Sequence, residues 1–188
     1  MKLKSKHNET DKKVEKKETP RGESKKAAVL DALRSVKLPN GGCEKKPRVI
    51  IGNDNMFEIP VVYVYGPLEL YTDIREKLFG PDKVEFGDAK GYCTFGRMTI
   101  GEEGACVAVV WANWRYTPEQ AMPIIVHELS HAADDIMAHA CIKDEGGEVK
   151  AYFIEAEFAY FLEKMYGIKM PRKPTELVKE LLHDIQHE

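Results

Sequence analysis

Apolar and polar positions alternate with different periods along the chain, and those periods predict its elements. Val29, Leu30 and Leu33 recur at helical spacing, which predicts a helix from Ala27 to Val36. The breakers Pro39, Asn40, Gly41 and Gly42 follow it. Arg48–Gly52 and Pro60–Tyr65 are rich in Val, Ile and Tyr and read as strands. Leu68–Phe79 has the pattern of an amphipathic helix stopped by Gly80 and Pro81, and Val84–Phe86 reads as a brief strand. Tyr92–Ile100 and Ala105–Trp111 are strand-like runs joined through Gly101 and Gly104, a spacing that suits a β-hairpin.

From Thr117 the period becomes helical and stays so. Thr117, Pro118 and Gln120 supply an N-cap, a first-turn proline and the third residue of a capping box. Pro123 then predicts either a kink or the true start of this helix, which runs to about Cys141. A second long helix is expected from Glu148 to Tyr166, and a third from Pro174 to His187. No internal repeat or linker separates two folded units. The expected class is α+β, with the helices packed on one face of a small mixed or antiparallel sheet.

Composition narrows the class. With 188 residues, 43% apolar content and 31% charge, the chain has the makeup of one globular domain, expected over residues 27–188. No apolar run approaches the roughly 20 residues that span a bilayer, and no apolar stretch follows the charged N-terminus as in a secretory signal. Membrane association is therefore not expected, and the cytoplasm is the expected location.

The net charge of −3 is uneven: residues 1–26 carry +5 and the remainder −8. The basic stretch has little to bury and is expected to be a disordered tail, with acids interleaved among its lysines. The acidic remainder argues against nucleic acid as a partner of the folded domain. Cys43, Cys93, Cys106 and Cys141 form no CxxC pair and are expected to be reduced, with a Cys93–Cys106 disulfide disfavoured.

The chemistry lies in His127-Glu128-Leu129-Ser130-His131, an HExxH motif preceded by Ile124, Ile125 and Val126. On a helix the two histidines fall one turn apart on one face, so that two neutral imidazoles can hold one Zn²⁺. Glu128 is then placed to act as general base on a water and later as proton donor to a leaving amine. A third ligand is needed. Glu148 is the first candidate, 17 residues beyond His131 at the start of the next helix, and Glu155 is the alternative. Ala151 on the same face would allow close helix approach, and Tyr152 would hydrogen-bond an oxyanion or orient a ligand.

Other candidates read more plainly. His139 is too far around the helix from His131 to be a ligand and suits the helix C-terminus. His183 and His187 form an i, i+4 pair near the chain end. Asp134 and Asp135 are equally readable as acceptors for a liganding imidazole or as surface acids. Glu157 and Glu163 read as a solvated acidic face, and Trp111, Trp114 and Tyr116 as core or rim residues.

HELSH followed by Glu148 on a second helix resembles the gluzincin class of zincin metallopeptidases. It is similar above all to short HExxH proteins of tailed phages and prophages, in which a hairpin precedes a VxHELxHA helix and an E-x-x-A-Y helix start. That last piece is here Glu148-Val149-Lys150-Ala151-Tyr152. The likeness covers roughly residues 90–165. A more distant likeness is to phage-repressor-cleaving peptidases of mobile elements, whose second helix carries Asn where this chain has Tyr152.

The resemblance implies a zincin-like fold, zinc as cofactor and a protein or peptide substrate. It also implies the host cytoplasm as location if the gene is phage-borne. In zincins the strand before the active-site helix binds extended peptide at a sheet edge, and Ala105–Trp111 stands in that position. The alternative function is a non-catalytic zinc-binding structural or interaction protein of phage or mobile-element origin.

Overall fold

The computed structural model describes residues 21–39, 46–52, 57–82, 84–98, 104–144 and 147–169. Helix α1 (Arg21–Leu33) leads into strands β1 (Arg48–Gly52) and β2 (Val61–Gly66) and helix α2 (Leu68–Phe79). Strands β3 (Gly91–Met98) and β4 (Ala105–Asn113) follow, then the long helices α3 (Pro118–His139) and α4 (Glu148–Tyr166). The α+β class is as expected. The expected helix over residues 174–187, the pair His183/His187 and Cys43 lie outside the described residues.

The sheet is mixed, in the order β1-β2-β4-β3. The β1–β2 and β3–β4 pairs are antiparallel and β2 runs parallel to β4. The parallel pair exists because α2 and β3 intervene between β2 and β4, a connection long enough to cross over the sheet. β4 is thus an interior strand, paired on both sides, and the edges belong to β1 and β3. The expectation that Ala105–Trp111 offers a free edge to peptide is corrected: β3 pairs with the whole run, and β2 takes its other side from Ala108 onward.

Helices cover both faces of the sheet, not one. Strand alternation sends Val61, Tyr63, Tyr65, Ala108, Val110 and Ala112 toward Ile125, Leu129, Ala132, Phe153 and Phe161 of α3 and α4. It sends Val62, Val64, Val107, Val109 and Trp111 toward Leu70, Tyr71, Ile74 and Leu78 of α2, with Val29 of α1 joining them. Central strands buried on both faces need apolar residues at every position, which is why β2 and β4 read as continuous apolar runs. No helix among the described residues is long and apolar enough to cross a membrane.

Three local expectations change. α1 begins at Arg21, inside the stretch expected to be disordered, and Lys25 Nζ donates to the carbonyl of Glu58. Its Lys, Glu and Ala residues have enough helix propensity to carry the helix backward from Ala27. Residues 84–86 form no strand; Phe86 instead packs edge-on against Tyr71 and Tyr92. Pro123 neither starts nor interrupts α3, which begins at Pro118 behind a complete Thr117–Gln120 capping box.

Candidate metal centre on helix α3

Three anchors set α3 against the sheet. The entry to the helix and its first turn each receive a tyrosine hydroxyl: Tyr65 donates to the Tyr116 carbonyl at 2.8 Å and Tyr166 to the Pro118 carbonyl at 3.3 Å. Its buried stripe of Ala121, Ile125, Leu129, Ala132, Ala133 and Ile136 packs on β3 and β4. Beneath the motif, Gly91 of β3 presents no side chain, and Ile124 and Glu128 occupy the space that a Cβ would fill.

The motif residues then separate by helix geometry. His127 and His131 are exposed, whereas Glu128 is 8% exposed on the flank turned toward β3. The two imidazoles meet edge to face, with centroids 4.8 Å apart, and their Nε2 atoms are 3.3 Å apart. Two imidazole nitrogens on one tetrahedral zinc, each at about 2.0–2.1 Å, stand roughly 3.3–3.4 Å from each other. The histidine pair fits that spacing. It equally fits one ring N–H donating to the other ring's lone pair; exposure of both rings on one face is what suits them to a cation.

Burial pushes the Glu128 carboxyl above the usual carboxylate range, and the adjacent His127 and His131 partly offset the shift. A carboxyl that is costly to ionise and sits beside two convergent imidazoles is suited to exchanging protons rather than to a surface ion pair.

Helix α4 packs antiparallel beside α3, with Lys150 Nζ bridging to Asp134 at 2.7 Å. Asp134 is therefore engaged by a lysine. Asp135 is exposed and lies close enough to Cys93 to raise its thiol pKa, an effect smaller than that of burial itself. Glu148, Ala151 and Glu155 are exposed on α4 and Tyr152 is half-buried beside them. Ala151 thus faces solvent and does not mediate helix approach.

Among the described residues no group of three or more His, Cys, Asp or Glu is gathered in metal-binding proximity. The fold brings His127 and His131 together, sets Glu128 on the buried flank beside them, and leaves Glu148 and Glu155 exposed on the neighbouring helix.

Sequence reading missed Glu157. It is 3% exposed, and the Tyr63 hydroxyl donates both to its carboxylate and, at 3.2 Å, to its backbone carbonyl. Tyr160 donates to the Ile51 carbonyl at 2.9 Å, and Arg48 to that of Met165. These bonds dock α4 on β1 and β2. The signal was present: Glu157 continues the Val149–Phe153–Phe161 stripe and so had to face the core. His139 stands in the last turn of α3 as expected, and Cys93 and Cys106 are free thiols out of register with each other. Trp111 is a core residue and Trp114 packs partly buried at its margin. No family profile, curated protein or solved structure matches the chain.

Proposed function

We propose that the chain is a zinc-dependent peptidase with its centre on α3. His127 and His131 would hold the ion, with Glu148 as the α4 carboxylate that joins them and Glu155 as its alternative. The observation that carries this reading is the 3.3 Å approach of the two Nε2 atoms beside the desolvated carboxyl of Glu128. A bound zinc supplies a Lewis acid that polarises the scissile carbonyl and makes water acidic enough to react near neutral pH.

Glu128 is the proton carrier. Its carboxylate takes a proton from the attacking water and delivers it to the leaving amine nitrogen. Partial burial places its proton affinity nearer to neutrality than that of a solvated glutamate, which serves both halves of the task. Tyr152 on the same flank of α4 is the candidate donor to the developing oxyanion.

A purely structural zinc site has no use for Glu128 and would close around four protein ligands. A non-catalytic zinc protein is the second reading. The test compares wild type with Glu128→Ala for zinc content and for cleavage of an unfolded protein substrate. One zinc per chain in both, with cleavage in wild type alone, establishes the peptidase. Zinc in both with cleavage in neither favours the second reading, and absence of stoichiometric zinc after reconstitution overturns both.

A further inference from the structure

A second cluster lies about 12 Å along α3 from the histidine pair, eight residues beyond His131. Cys106, near the start of β4, has its Sγ 3.3 Å from His139 Nε2 and 4.0 Å from Nδ1. Neither group is buried away from solvent: Cys106 is half-buried and His139 exposed. The imidazole is held in place by the Phe95 ring, with centroids 5.6 Å apart.

The pair is framed by the end of α3 and by the β3–β4 hairpin. His139 sits in the last turn of α3, where the carbonyl end of the helix stabilises a cation. Arg97 of β3 is the direct cross-strand partner of Cys106 and is held there by donation from Nε to the Gly104 carbonyl. Cross-strand partners share a face, so Arg97 and Cys106 both stand on the α3 side of the hairpin, with the Arg97 side chain lying over Gly104. Among the described residues, the charged groups on the faces that carry the pair are Arg97 from β3 and, one turn before His139 on α3, Asp135.

Cys93, two strand positions from Phe95 on the same face, provides the contrast: burial and the carboxylates of Asp135 and Glu128 all push its thiol up. Cys141 provides another, being the more exposed thiol. If exposure alone governed reactivity, Cys141 would react first; if an imidazole within proton-transfer distance governs it, Cys106 would.

We infer that Cys106 is a reactive nucleophile with His139 as its base, and that it forms mixed disulfides with small anionic disulfides drawn by Arg97. In that step the Cys106 proton passes to His139 Nε2 and Sγ attacks one sulfur of the disulfide. The Cys106–S bond forms as the S–S bond breaks. The leaving thiolate departs as an anion or takes the proton from His139. The reaction is reversed by free thiol and needs neither the metal nor Glu128.

The test uses the full chain and dithiobis(nitrobenzoate), a dianionic disulfide that releases a coloured thiolate. One fast phase is expected, mapping by peptide mass to Cys106 and persisting in Cys141→Ser but absent in Cys106→Ser. His139→Gln is expected to slow that phase about tenfold and to remove the imidazole limb from its pH profile, and Arg97→Gln to slow it several-fold, both with an unchanged thermal midpoint. A fast phase that maps to Cys141 or Cys43, or a rate and pH profile unaltered by His139→Gln, overturns the assignment.

Discussion

Gly91 of β3 lies against Glu128 of α3 so closely that a Cβ at position 91 would stand 3.1 Å from Glu128 Cγ. The same Cβ would be 2.4 Å from Ile124 Cγ2 and 2.8 Å from the Trp111 carbonyl oxygen. One of these neighbours is backbone and cannot rotate away. The absent side chain therefore sets how deeply the motif helix settles on the sheet, and with it how far Glu128 is drawn from water.

Gly91→Ala is accordingly expected to cost about 1–3 kcal/mol, the usual range for overpacking a fitted interface. Urea unfolding of wild type and variant measures it. A loss below about 0.5 kcal/mol would mean that α3 lifts off β3 freely.

Glu128→Gln is expected to stabilise metal-stripped protein at neutral pH. Burial raises the carboxyl's pKa in the folded state above its unfolded value of about 4.3. An acid shifted that way contributes fully below the unfolded pKa and loses its contribution as pH rises through the folded one. As pH rises through the folded value the wild type comes to hold an ionised, desolvated carboxylate that the amide replaces. Thermal midpoints should favour the variant at pH 7 and converge near pH 4; a less stable variant at pH 7 would refute this account.

Tyrosines set the alkaline limit. Burial pushes the hydroxyls of Tyr63 and Tyr71 well above their ordinary range and that of Tyr166 up to about 12. Their contributions are complete below the unfolded value of about 10 and are lost as pH climbs toward the folded values. Unfolding monitored by circular dichroism should begin above about pH 10, with tyrosinate absorbance rising in the same transition. Ionisation of these tyrosines ahead of unfolding would show that burial does not protect them.

The α4 carboxylates can be told apart by zinc affinity. Glu148→Gln is expected to weaken zinc binding by more than the roughly 10–100-fold typical of losing an outer-shell partner, and Glu155→Gln to change it only a few-fold. Competition against a chelator reads both. The reverse order would transfer the ligand role to Glu155.

Much of this protein was legible along the chain because local signals are short-range. The HExxH helix, its Thr117–Gln120 cap, the β3–β4 hairpin and α4 follow from periods and cap residues that act within a few positions. The spacing of His127 and His131 likewise puts their rings within reach of each other, since one helical turn separates them whatever the fold.

What lies across the sheet needed the tertiary structure. Strand order decided that β4 is interior and β3 an edge, because parallel pairing of β2 with β4 joins residues some 47 positions apart, such as Val61 and Ala108. The meetings of Gly91 with Glu128, of Tyr63 with Glu157 and of Cys106 with His139 are of the same kind. Each joins residues on different elements, and no periodicity within one element can specify which side chain of another it will touch. Local pattern was enough for the long helices, the β3–β4 hairpin and the two neighbouring histidines, because each rests on contacts a few residues apart; the packing of α3 and α4 on the sheet set which acids are buried, which thiol meets an imidazole, and where Glu148 stands.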